Sequence, residues 1–255
     1  MYRGKTVSLV IPAHDEAETI GEVVREFRAN PHLDEIVVVD NNCRDATAEI
    51  AERAGARVVR ETRPGYGAAL LCGMRHAKGD ILVLTEADGS FCGKDLEKLL
   101  VYLDDADMVM GTRTTRQMVE QGANMRFILR WGNVAMAKFL QLLWLRPSEP
   151  RFTDVGCTFR ALHRSTFLAI EPHLRETGPA FSPEMMCAAL NARRRVIEIP
   201  VTYRKRAGGE SKHSASFAKL ARTAFMMFKT ICRKRFARSG GSPAHAETAP
   251  AAPRR

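Results

Sequence analysis

The chain has 255 residues, 45% of them hydrophobic and 27% charged, enough for one α/β domain with a sizeable core and appendages. No window of 18 residues is free of charge, so no transmembrane helix is encoded, and six cysteines scattered without CxxC spacing fit a reduced compartment and offer no zinc-site pattern. The net charge of +10 is uneven: residues 193–238 hold fourteen Lys and Arg against Glu198 and Glu210, leaving about −2 elsewhere, so an anionic partner is expected at one edge only.

Met1 to Lys5 runs directly into a strand-like segment, and no signal peptide is read there. Thr6–Ile11 predicts a first strand, stopped by Pro12, and Ala17–Arg28 has helical spacing at Ile20, Val23, Val24 and Phe27. Glu35–Asp40 reads as a second strand and Asp45–Ala54 as a helix; Ala56–Arg60 and Gly67–Ala77 repeat the pair. Strand Ile81–Thr85, helix Asp95–Leu103 and strand Asp107–Gly111 follow. This alternation predicts an α/β fold with a mostly parallel central sheet and helices on both faces. The regularity breaks after Arg113. Thr114–Asn124 is polar and reads as a loop. Phe127–Leu145 is a helix apolar nearly all round, suited to the core, a membrane contact or a homodimer surface. Ser182–Arg193 reads as a helix and Val196–Val201 as a strand. Phe217–Phe236 is an amphipathic helix with Lys219, Arg222, Lys229, Arg233 and Lys234 between its apolar positions. The expected division is a domain over 1–212, a basic helix over 213–238 and a disordered Ala/Pro/Ser-rich tail over 239–255.

The chemistry gathers at strand ends. Ile81-Leu82-Val83-Leu84 reads as a buried strand, and Glu86 and Asp88 follow it, then Gly89. In an open α/β sheet, ligands bind outside the carboxyl ends of the strands. Two carboxylates with no basic residue between Asp80 and Lys94 repel each other unless a cation sits between them, and a hard divalent ion takes one or two carboxylates plus substrate phosphates. Asp15 and Glu16 follow the first strand, Asp40 and Asp45 the second. Either group alone fits an ordinary helix cap; three acidic strand ends along one sheet edge form a pattern.

Over residues 5 to about 215 the chain resembles family 2 glycosyltransferases of the GT-A fold, in the branch of dolichyl- and polyprenyl-phosphate mannose and glucose synthases. The resemblance rests on Val10-Ile11-Pro12-Ala13-His14-Asp15-Glu16, Val38-Val39-Asp40-Asn41-Asn42, Arg63-Pro64-Gly65-Tyr66-Gly67, Glu86-Ala87-Asp88-Gly89, Gly111-Thr112-Arg113, Thr153-Asp154-Val155-Gly156 and Gly209-Glu210-Ser211-Lys212, in order. It implies that Pro12, Ala13 and Glu16 line the base and ribose of a nucleotide sugar, with Asp40, Asn42 and Ala87 beside them. It also implies that the Gly65-Tyr66 turn lets backbone approach the donor, and that Glu86 and Asp88 hold Mg²⁺ or Mn²⁺ on the diphosphate. Asp88, Asp154 and Lys212 are the implied catalytic group, Asp154 lying on the acceptor side near the anomeric carbon. Arg204, Ser211 and Lys212 are expected to close over phosphates. Two departures stand out: Glu86 replaces the first Asp of the family's Asp-x-Asp, and Asn41-Asn42-Cys43 replaces its Asp-Gly-Ser.

The expectation is an inverting transfer of a hexose from a GDP-mannose or UDP-glucose type donor to a polyprenyl phosphate, at the cytosolic face of a membrane contacted by the basic helix. A lipid monophosphate is mostly ionised at neutral pH and needs little help from a base. A hydroxyl of a soluble acceptor, the competing reading, requires one, and Asp154 or Glu184 is then the candidate. A sugar nucleotidyltransferase would open with a Gly-rich loop where Pro12-Ala13-His14 stands. A nucleic-acid partner is not expected, because it leaves the acidic strand ends unexplained.

Overall fold

Short, nearly continuous apolar runs build a sheet buried on both faces in the computed structural model of the chain, which describes residues 1–120, 123, 127–145, 151–207 and 217–236. Seven strands, β1 (Val7–Ala13), β2 (Glu35–Asp40), β3 (Arg57–Arg60), β4 (Ile81–Leu84), β5 (Met108–Thr112), β6 (Arg160–His163) and β7 (Val196–Pro200), lie in the order β3-β2-β1-β4-β6-β5-β7. All pairs are parallel except those of β6, which runs antiparallel to β4 and β5. The helices are α1 (Ile20–Arg28), α2 (Thr47–Arg53), α3 (Tyr66–His76), α4 (Asp95–Leu103), α5 (Phe127–Leu143), α6 (Arg164–Ile170), α7 (Phe181–Asn191) and α8 (Phe217–Phe236).

Because successive strand residues point to opposite faces, the sheet makes two cores. Val10, Val37, Val39, Leu82 and Leu84 pack against α3, α6 and α7. Leu9, Ile11, Ile36, Val38 and Val83 pack against α1 and α4. The expected alternation is borne out, with two differences. β1 continues through Pro12 to Ala13, past the predicted stop: β1 pairs with β4 only as far as Val10, so Pro12 lacks a neighbour on that side that would call for its missing N–H. β6 and α6 were not expected. β6 is four residues long, and Arg160 and His163 at its ends hide the apolar run. β5 leaves the sheet at Thr112 and β6 enters at Arg160, opposite Met110 and so at that same end, which makes β6 antiparallel.

Helix α8, read in the sequence as a separate basic unit, is seated on the domain. Its Ile231 and Thr230 are buried. Lys234 pairs with the wholly buried Glu184 of α7 at 2.8 Å, and Arg233 with Glu176 at 2.6 Å. Arg235 donates to the Leu143 carbonyl and Asn191 to that of Lys234, while Phe139 of α5 stacks on Phe228 at 4.9 Å. Two of the five cations read on this helix, Arg233 and Lys234, are thus paired within the chain, as is Arg235. The tail 239–255, with Ser211 and Lys212, lies outside the described residues.

Candidate active site

The carboxyl ends of β1, β2, β4 and β5 open into one cleft of about 970 Å³. Pro12, Ala13, Glu16 and Asn42 line its wall with Gly65 and Tyr66, and Glu86, Ala87 and Asp88 also line it. Sequence reading thus gathers most of its donor-side residues into one place. Asp40 is not among the lining residues; its carboxylate accepts the Cys43 N–H at 2.8 Å and closes the turn after β2. Asn41 was passed over. Its amide donates to the carbonyls of Glu61 (2.9 Å) and Arg63 (2.8 Å) and accepts the Gly65 N–H (2.8 Å), pinning the 61–65 segment against the end of β2. An amide that both donates and accepts does this where an aspartate cannot, which gives the Asn41 departure a physical reason.

The glycines of this turn answer to packing. Gly65 has φ +127°, and a Cβ there would lie 2.3 Å from the Thr177 carbonyl oxygen; at Gly67 it would lie 2.5 Å from that of Glu176. The Gly67 N–H donates to the Thr177 carbonyl at 2.7 Å. Close approach is the reason for both residues, and the approaching backbone is the chain's own.

Each carboxylate of the central pair has one oxygen held by the protein and one turned towards a common neighbour. Glu86 Oε1 accepts the Thr158 hydroxyl at 2.6 Å, Thr158 in turn bonding Tyr66. Asp88 Oδ1 accepts the Ser90 N–H at 2.9 Å. The other oxygens face Arg206, whose Nε lies 2.9 Å from Asp88 Oδ2 and whose Nη2 lies 3.7 Å from Glu86 Oε2. Burial, and then the charge of Asp88, pushes Glu86 up to about 7. Two oxygen donors aimed at one point suit a hard divalent cation that completes its shell with water and phosphate. Among the described residues Asp15, Cys43 and Asp45 also come within reach of one another, but their carboxylates accept the Arg44 and Ala17 N–H groups and act as turn caps.

Asp154 does not line the cleft. It is wholly buried behind Arg113, whose Nε and Nη2 grip its two oxygens at 2.8 and 3.0 Å, with the Arg113 N–H adding a third bond. Arg113 is the member of the pair that faces the cavity. Its guanidinium is held in the charged state by Asp154. Arg204, expected over the phosphates, turns away to Glu26 (3.0 Å) and the Cys92 sulfur; Arg206 is the cleft residue instead. The run Arg204-Lys205-Arg206 announced the charge, but without strand periodicity beyond Pro200 it did not announce which side chain faces inward. Glu184, the alternative base, is buried on Lys234.

From the carboxylates the cleft extends between α5 and α8, where Leu129, Met136, Leu220, Ala221, Ala224 and Met227 line it.

Comparison with known proteins follows from this geometry. Residues 8–166 match the family described as Glycosyl transferase family 2. An uncharacterized glycosyltransferase of Mycobacterium tuberculosis is 36% identical over 84% of this chain and 92% of its own length. The undecaprenyl-phosphate mannosyltransferase of Micrococcus luteus is 29% identical over 82% of this chain and 87% of its own. Glucosyl-3-phosphoglycerate synthase of Mycobacterium tuberculosis, crystallised with Mn²⁺, UDP-glucose and phosphoglyceric acid, superposes with a TM-score of 0.71 at 20% identity, covering 91% of this chain and 80% of that one. That last likeness is one of fold.

Proposed function

The chain belongs to glycosyl transferase family 2, and from that premise we propose that it moves a hexose, with inversion, from a nucleoside-diphosphate sugar to a polyprenyl phosphate. The donor, of the GDP-mannose or UDP-glucose type, lies along Pro12, Ala13, Glu16, Asn42 and Gly65, with its diphosphate towards Glu86 and Asp88. Mg²⁺ or Mn²⁺ held by those carboxylates supplies Lewis-acid neutralisation of the leaving diphosphate. An acceptor phosphate oxygen forms the new bond to the anomeric carbon as the bond to the diphosphate oxygen breaks on the opposite side. Arg113 provides charge-assisted bonds to the phosphates that meet there. Asp154 fixes Arg113 and has no free oxygen edge with which to take a proton, which suits an acceptor that arrives ionised.

One observation carries the lipid acceptor over a soluble one: the apolar extension of the cleft between α5 and α8, continuous with the carboxylate pair. A small phosphorylated or hydroxylated metabolite gains nothing from Leu129, Met136, Leu220 and Met227, whereas an isoprenoid tail gains about 25 cal/mol for each Å² buried. Incubation with labelled nucleotide sugars, offering undecaprenyl phosphate or water-soluble acceptors, should put label in the organic extract with the lipid alone. Equal or faster labelling of a soluble acceptor would overturn the reading. Ala224→Trp, which places an indole in the extension, should raise the KM for lipid phosphate by roughly tenfold or more while leaving nucleotide affinity unchanged.

The outer side of the same helices suits an anionic bilayer surface. Leu142, Leu145, Phe225 and Phe236 are each more than 60% exposed, and Arg222 and Lys229 lie among them on α8. No helix of the described residues is long and apolar enough to cross a membrane. Attachment at the cytosolic face, the side on which nucleotide sugars are made, would bring the extension to its lipid. The protein should sediment with phosphatidylglycerol vesicles, and Phe225→Glu with Phe236→Glu should release it. Retention by the double variant, or a dimer in solution that these substitutions split, would assign the surface to other contacts.

A further inference from the structure

Arg206 occupies the place where the cation of the proposed site belongs. Its guanidinium sits against the two carboxylate oxygens that the rest of the protein leaves open, Asp88 Oδ2 and Glu86 Oε2. The oxygens on the other side of each carboxylate are committed to Ser90 and Thr158. Cation and guanidinium therefore compete for one pair of oxygens.

The backbone fixes how that competition resolves. The Ala207 N–H donates to the Asp88 carbonyl at 3.1 Å and the Arg204 N–H to the Ser90 carbonyl at 2.8 Å, so the segment bearing Arg206 is tied to the loop bearing Asp88. Displacement moves the side chain alone. Arg206 lines the cleft and is about one-quarter exposed, so it has room to turn within the cavity. Glu86 and Asp88 carry most of the acidic charge acting on it, with a smaller share from Glu16 of the same cleft, so once the pair is taken by a cation the diphosphate that the cation brings offers it a new anionic partner.

We propose that Arg206 is an internal counter-ion that holds the metal site shut until a nucleoside diphosphate arrives, then transfers its guanidinium from the carboxylates to the diphosphate. This rests on the metal assignment made above. Divalent ion and nucleotide then bind together far better than the ion binds alone, because the nucleotide gives the displaced arginine a new partner. A metal-free enzyme kept in this state is protected from the repulsion of its own carboxylate pair.

Mn²⁺ titration of the full-length protein, followed by the resonance signal of free Mn²⁺, tests this without turnover. Wild type should bind Mn²⁺ weakly alone and roughly tenfold or more tighter with UDP or GDP present. Arg206→Ala and Arg206→Gln should each bind Mn²⁺ alone about tenfold tighter than wild type, and the gain on adding nucleotide should shrink. Gln keeps most of the bulk, so a packing defect in the Ala variant does not decide the matter. Unchanged or weaker Mn²⁺ binding by both variants in the absence of nucleotide overturns the counter-ion role while leaving the metal site standing. If wild type holds no Mn²⁺ with or without nucleotide and matches Asp88→Asn in this, the metal assignment falls and the inference with it.

Discussion

Asp88→Asn should lower transfer by roughly 10³-fold or more with the fold intact, the loss expected when a cation that stabilises a leaving diphosphate by several kcal/mol is no longer held. The substitution is selective. Asn keeps an oxygen that can accept the Ser90 N–H, the bond that shapes the loop, and replaces only the oxygen facing Arg206 with an amide group that cannot ligate. Turnover with a saturating nucleotide sugar, circular dichroism and Mn²⁺ binding together check it. Near-normal turnover, or full wild-type activity in excess EDTA, would remove the cation from these residues. Glu86→Gln has a companion effect of opposite sign on stability. Burial and the Asp88 charge raise Glu86 above the usual carboxylate range, to about 7. A raised value in the fold means that its contribution is fully present below about 4.5 and is lost as pH rises through about 7. Metal-free Glu86→Gln should therefore unfold at a higher temperature than wild type at pH 8, by a margin on the order of 1–3 kcal/mol, and show no gain at pH 5. On the proposed reading, two close carboxylates are kept at a cost to the stability of the metal-free fold.

The strand ends were legible because their physics is local. A buried run such as Ile81–Leu84 followed by Glu86 and Asp88 needs no partner to be recognised, and β1 and β2 carry the same signal. What escaped depends on residues distant in sequence. Asn41 acts through the 61–65 segment, and Gly65 and Gly67 are fixed by Glu176 and Thr177, more than a hundred residues away. β6 is short, and its first residue is a buried Arg160 whose guanidinium donates to the Ser182 and Cys157 carbonyls, so no apolar pattern marks it. Arg206 stands where Arg204 was expected because the choice between them is made by Glu26 on α1 and by the loop at Asp88. The amphipathic spacing of α8 was read correctly as a helix. Which of its cations face outward was decided by Glu176 and Glu184, acids that its own sequence does not contain.

The same distinction separates two roles for Asp154, and the second large effect follows from it. Arg113→Ala should destabilise the protein by about 3–5 kcal/mol, because it leaves a carboxylate with no solvent exposure and no counter-charge. For a chain of this size that is a fall of about 10 °C in Tm. Asp154→Ala should cost a similar amount by stranding the guanidinium, whose side chain is only 11% exposed. The double variant Arg113→Ala/Asp154→Ala should be far less destabilised than the sum of the two, since each single change exposes the same uncompensated charge. Transfer should show the same non-additivity: Asp154→Asn and Arg113→Ala each impair the one cationic group, and combining them adds little. A proton-accepting Asp154 makes a different set of expectations. Its Asn variant would lose activity with Arg113 intact, and Arg113→Ala would multiply that loss independently. Three bonds from Arg113, a fourth from the Gly156 N–H at 3.0 Å and complete burial are the marks of a carboxylate that holds another residue in place. Additive losses in the double variant would reverse that assignment and return the hydroxyl acceptor, with its need for a base, to first place.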